Sequence, residues 1–149
     1  ELRDARFPVA LTTGRLRDQW HGMSRTGTLG RLFEHQSEPA VEMHPSDLVR
    51  RGLADGALVR VKSRRGELVL PLRATDRVAP AQAFVAMHWG GEVLAGAGVN
   101  TLTTGAACPQ SRQPELKHAT VRVEPAGLPW NLVAAAWWPE AEALAAVER

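Results

Sequence analysis

The feature that most limits the fold is the alternation between residues 58 and 74. In LVRVKS, Leu58, Arg60 and Lys62 fall on one face and Val59, Val61 and Ser63 on the other, as a half-buried strand requires. Arg64-Arg65-Gly66 turns the chain, and Glu67 to Ala74 returns it, with Pro71 as a dent suited to an edge or a bulge. Further strands are predicted at Phe7 to Thr13, Ala40 to Met43, 83 to 89 (AFVAMHW) and 121 to 124 (VRVE). One short helix stands among them: His44-Pro45-Ser46-Asp47 opens it, with Pro45 in its first turn, and Gly52 lies past its end. A chain of 149 residues patterned in this way is read as one mainly β domain over 1–125, able to bury a core without disulfide or metal. Pro125, Gly127 and Pro129 break the pattern and set off a tail, 126–149, in which an uncapped apolar run (WNLVAAAWW) precedes a helical stretch starting at Pro139.

Several function classes are excluded by what the chain lacks. Eighteen basic against sixteen acidic residues leave a net charge of +2, too small for a general polyanion binder. The single cysteine, Cys108, rules out a disulfide framework, a C-x-x-C pair and an all-cysteine cluster. Pro109 denies that thiol a backbone donor, so Cys108 reads as structural rather than nucleophilic. No apolar run reaches the ~18 residues of a membrane span, and the chain opens on Glu1 with no basic-then-apolar leader. Gly96-Ala97-Gly98 begins like a dinucleotide fingerprint, but Thr101 stands where its third glycine belongs and no helix pattern follows. His21, His35, His44, His88 and His118 are scattered without ligand spacing, so neither a metal site nor a catalytic residue is assigned.

What remains is a constellation of loops. From Gly14 to Gly30 the chain packs Arg15, Arg17, Gln19, Trp20, His21, Ser24, Arg25 and Thr26 between glycines, with no helical or strand period. A glycine-rich loop ends at Asn100, and a polar loop carries Ser111, Arg112, Gln113 and Lys117. Glycine permits close backbone approach, Arg and Lys neutralise phosphates, Asn and Gln pair with a purine-like edge, and Trp20 offers a stacking face. A large anionic heterocyclic cofactor suits these groups, although RNA-binding modules offer similar ones.

Leu11-Thr12-Thr13-Gly14-Arg15-Leu16-Arg17-Asp18-Gln19-Trp20-His21, followed by Ser24-Arg25-Thr26-Gly27, resembles the opening of the C-terminal molybdopterin-dinucleotide-binding domain of the dimethyl sulfoxide reductase family, above all its assimilatory nitrate reductases. The resemblance continues in order through His44-Pro45 with Asp47, Asp55-Gly56-Ala57-Leu58-Val59, Ser63-Arg64-Arg65-Gly66, Met87-His88-Trp89, Asn100-Thr101-Leu102-Thr103 and Ser111 to His118, covering about residues 8 to 124. It departs at Gly22 and Ser24, where relatives often have Thr, and at Cys108-Pro109, where Asp-Pro is usual.

The resemblance implies a double-psi β-barrel with short flanking helices and a ligand, molybdenum bis(molybdopterin guanine dinucleotide). Its site residues here would be Thr13, Gly14, Arg15, Arg17, Gln19, Trp20, His21 and Gly22, with Asn100 and Lys117 from the later loops. It further implies that the metal ligand, an iron–sulfur cluster and the substrate funnel lie upstream, in a longer cytoplasmic oxidoreductase that reduces nitrate to nitrite. Partners would then be the upstream domains and an electron donor, with no nucleic acid and no membrane, and the isolated chain would be inactive. A periplasmic nitrate reductase or a formate dehydrogenase would use the same domain. A different class, a free-standing double-psi interaction module, would rest on Arg50-Arg51 and Arg64-Arg65.

Overall fold

The computed structural model describes residues 1–127 except His21, Gly22, Arg25, Gly27, Glu34, His35, Ser37, Glu92, Val93 and Ala95, with Leu32 and Phe33 described by backbone alone. The tail helix and the WNLVAAAWW run fall outside the described residues. In chain order the elements are β1 (Val9–Gly14), α1 (Gly30–Phe33), β2 (Val41–Met43), α2 (Pro45–Arg51), β3 (Leu58–Lys62), β4 (Glu67–Ala74), β5 (Gln82–Ala86), a 3-10 turn (Val99–Leu102) and β6 (His118–Pro125).

The strands close into a barrel in the order β1-β5-β2-β4-β3-β6. Two pairs are parallel, β1 with β5 and β2 with β4, and the remaining pairs are antiparallel. Exchanging β1, β2 and β3 for β4, β5 and β6 maps this circuit onto itself, reverses every strand and keeps each parallel pair parallel and each antiparallel pair antiparallel. The two halves are therefore related by a pseudo-twofold, although no internal repeat is visible in the sequence. This is a double-psi β-barrel with short flanking helices.

Alternation fills its interior. Val59 and Val61 of β3, Leu68, Leu70 and Leu72 of β4, and Val121 and Val123 of β6 point inward, joined by Leu11, Val41, Met43 and Val85. At α2 the sequence reading holds: His44 caps the N-terminus, its Nδ1 accepting from Ser46 N at 3.2 Å, and Gly52 closes the helix at φ 63°.

Two strand expectations need correction. The fifth strand ends at Ala86, and after one more backbone bond from Met87 the chain leaves the ladder at His88 and Trp89, because β1, its parallel partner, itself ends at Gly14. Nor does Pro71 mark an edge, since β4 is flanked on both sides. Leu72 N donates to Ala57 O at 2.9 Å, so the Pro71 nitrogen faces away from β3, and pairing with β2 begins only at Leu72. Proline is tolerated at this seam, where β4 passes from one partner to the other.

Candidate functional site

The strand registers gather the loops of interest. Gly14 lies beside Ala86 on parallel strands, and His118 enters antiparallel beside Thr12, so the ends of β1 and β5 and the start of β6 share one end of the barrel. Met87 N extends the β1·β5 ladder by donating to Gly14 O at 2.9 Å. Thr13, buried, donates its hydroxyl to Leu116 O at 2.7 Å and so ties β1 to the residue before Lys117.

Beyond Gly14 the chain forms one wall of a cleft of about 320 Å³, lined by Arg15, Leu16, Arg17, Asp18, Gln19, Gln36, Glu42, Arg77 and Phe84. Trp20, 55% exposed, lines the adjoining groove with Arg15 to Gln19. Gln19 is buried and its Oε1 accepts from the Thr26 hydroxyl at 2.6 Å, while that hydroxyl accepts from Trp20 N at 3.1 Å. These bonds fold the loop back on itself, which a polar, glycine-flanked segment needs in place of a ladder.

The electrostatics of the cleft are uneven. Arg17 is paired with Asp18 at 2.9 Å, and Glu42 with Arg73 at 3.6 Å. Among the described residues, Arg15 and Arg77 have no side-chain hydrogen bond or ion pair. Two uncompensated guanidinium groups on one cleft, beside two side-chain amides and the Phe84 ring, suit a phosphate-bearing heterocycle.

The ten predicted site residues therefore divide. Arg15, Arg17, Gln19 and Trp20 come together, with Thr13 and Gly14 behind them. Lys117 is exposed next to Leu116, at the same end of the barrel. Asn100 is exposed on the 3-10 turn, which packs against the β3–β4 turn: Arg65 Nη2 donates to Leu102 O at 3.1 Å, and the Cβ an alanine would bring to position 66 would meet Thr101. His21 and Gly22 lie outside the described residues. Sequence reasoning missed Arg77, Gln36, Glu42 and Phe84. Glu42 and Phe84 face each other across β2 and β5 on the outer side of the barrel, where alternation reads only as solvent-facing.

Two further expectations meet the geometry here. Cys108 is exposed, not part of a core, and the hydroxyl of Ser111, then the backbone N–H groups of Ser111 and Gln110, hold its thiol below the ordinary range. The donor that Pro109 cannot give thus comes from the next two residues. The arginine pairs invoked for a free-standing module are largely engaged within the chain: Arg50 binds Asp47, Arg64 binds Asp4 and Glu1, and Arg65 binds Glu1. Among the described residues no His, Cys, Asp and Glu group could hold a metal ion, and no helix is long and apolar enough to cross a membrane.

A closed six-stranded double-psi barrel with its long loops at one end defines the class of this protein. The chain belongs to the Molydopterin dinucleotide binding domain family, which it matches over residues 9–120. It is 42% identical over 120 residues to a nitrate reductase of Klebsiella oxytoca, covering 80% of this chain and 14% of that protein. It is 33% identical over 128 residues to the F420-dependent formate dehydrogenase 1 subunit alpha of Methanococcus maripaludis, covering 83% and 18%. Among solved structures, acetylene hydratase from Pelobacter acetylenicus shares the fold with a TM-score of 0.64 at 16% identity, over 80% of this chain and 18% of that one. The chain thus spans less than a fifth of the length of these proteins.

Proposed function

We propose that this domain holds part of molybdenum bis(molybdopterin guanine dinucleotide) in a longer nitrate reductase of the assimilatory, cytoplasmic kind, which converts nitrate to nitrite. The observation that carries this reading is the 42% identity to a nitrate reductase, against 33% to a formate dehydrogenase, over similar shares of the chain. The bound group would supply the two-electron redox chemistry of that conversion. The chain's own residues bind and orient. Arg15, Arg17 and Arg77 take phosphate oxygens along the cleft, Gln19 and Gln36 offer paired donors and acceptors, and Trp20 presents an exposed ring for stacking. His21, Gly22, Asn100 and Lys117 complete the proposed set from the surrounding loops. The ligand to molybdenum, the iron–sulfur cluster and the contact with an electron donor belong to upstream domains, so the isolated chain is expected to reduce no nitrate.

The test is turnover by the purified longer polypeptide with reduced viologen and nitrate, alongside formate with an oxidised acceptor. Nitrate reduction with no formate oxidation supports the reading, and the reverse result assigns the chain to the formate dehydrogenase alternative. Within that polypeptide, Arg15→Ala and Lys117→Ala should each weaken cofactor retention about tenfold, the weight of one charge-assisted hydrogen bond. The loss should shrink as salt rises. Asn100→Ala should cost less and show little dependence on salt, because an amide carries no charge. Retention by the Arg15→Ala, Lys117→Ala double variant equal to that of the parent would remove both residues from the site.

A further inference from the structure

The sequence pattern reads His88 as strand, because AFVAMHW runs on without a break, yet β5 ends at Ala86. Its side chain is 95% buried, its exposure being 5%. The parallel pairing of β1 and β5 carries it alongside the residue two past Gly14, and Leu16 N donates to its Nε2 at 3.0 Å. An imidazole nitrogen that accepts an N–H carries no proton, so the ring proton sits on Nδ1. Nδ1 is buried and meets no hydrogen-bond partner among the described residues. Leu16 lies between Arg15 and Arg17, within the segment that walls the cleft.

We infer that His88 is a positioning residue for the 15–20 segment: its unprotonated Nε2 holds the Leu16 N–H and fixes the wall of the cleft, and protonation of the ring releases it. Two observations besides the hydrogen bond support this. An imidazolium would turn an N–H toward the Leu16 N–H, so the bond cannot survive protonation. No carboxylate pairs with either ring nitrogen among the described residues, and the charged group that acts on the ring is Arg15, a cation. Burial first, and Arg15 second, hold the His88 imidazole below its ordinary value of 6.5. A depressed folded-state value means that the unfolded chain takes up the proton more readily. The stabilisation is therefore fully present above pH 6.5 and is lost as pH falls through the folded-state value. The use of the device in holding a cofactor rests on the function proposed above, whereas the pinning itself does not.

The experiment is amide exchange of Leu16 in the 149-residue chain, expressed as protection relative to the intrinsic rate at each pH, with imidazole nitrogen NMR of His88. At neutral pH the nitrogen spectrum should show the tautomer protonated at Nδ1. On acidification Leu16 protection should fall roughly 5- to 10-fold, the worth of one hydrogen bond, in step with the titration of His88, while the amide of Met87 on the continuing ladder keeps its protection. His88→Gln, whose side-chain oxygen can accept the same N–H but does not titrate, should keep Leu16 protected and flatten the pH dependence. His88→Phe should leave Leu16 unprotected at every pH. A purely structural histidine would give no flattening in His88→Gln. A ring protonated at Nε2 at neutral pH, or Leu16 protection that ignores the titration of His88, overturns the inference. If Leu16 behaves as described but the longer polypeptide holds no molybdenum cofactor, the pinning stands and the functional reading falls.

Discussion

Asp47→Ala should destabilise the barrel by about 3 kcal/mol, measured by urea denaturation of the whole chain. Asp47 is fully buried in the first turn of α2. One carboxylate oxygen binds Arg50, and the other accepts from Ala81 N at 2.6 Å. Ala81 stands at φ 62°, and its own carbonyl accepts from Ala10 N at 3.1 Å at the foot of β1. The carboxylate thus fixes α2 to the β4–β5 loop where that loop meets the first strand. An alanine leaves the Ala81 N–H without its acceptor, opens a small void, and loosens a residue held in the left-handed region. Asp47→Asn keeps the shape and an acceptor and should cost about 1 kcal/mol. An Asp47→Ala midpoint within error of the parent would show that the carboxylate is dispensable.

Gly98→Ala should cost about 2 kcal/mol, within the range for forcing one extra carbon into filled space. The backbone of Gly98 is ordinary, at φ −71°, so the cost is contact and not conformation. A Cβ there would lie 2.6 Å from Trp89 O and 3.3 Å from Gly90 Cα, both backbone atoms with no side-chain freedom to yield. Relief requires moving the segment that carries His88 and Trp89. For a domain of this size the melting temperature should drop by roughly 5 °C. Gly91→Ala is the control, since its nearest neighbour would be Gly96 O at an ordinary 3.5 Å. Equal melting temperatures for the two variants would contradict the packing argument.

How much of this was legible in the sequence depends on how local each feature is. The β3–β4 hairpin and α2 follow from alternation, a turn, a proline and a glycine that act within a few residues of one another, and the structure places them within a residue or so of their expected bounds. The end of β5 was not legible, because it is set by where β1 stops, about seventy positions earlier in the chain. For the same reason the Leu16–His88 bond and the place of Pro71 could not be read from their own neighbourhoods. The cleft shows a similar division. Arg15 to Trp20 announced themselves by composition, whereas Arg77 sits in the unremarkable loop TDRVAP and reaches the cleft only through the tertiary fold.

The strand circuit also governs how the chain must reach this state. β1 is made first, yet its two neighbours are β5 and β6: Ala10 waits for Gln82, and Val9 for Val121. β3 likewise pairs with β6, Val61 against Val123. Contacts of such sequence separation slow folding, because loop-closure entropy is spent before pairing returns any of it. Both strands that β6 joins keep an open hydrogen-bonding edge until residues 118–125 have been synthesised. A nascent or truncated chain ending near residue 117 thus presents two sticky edges that the closed barrel does not have, and its aggregation should be governed by the arrival of the final strand.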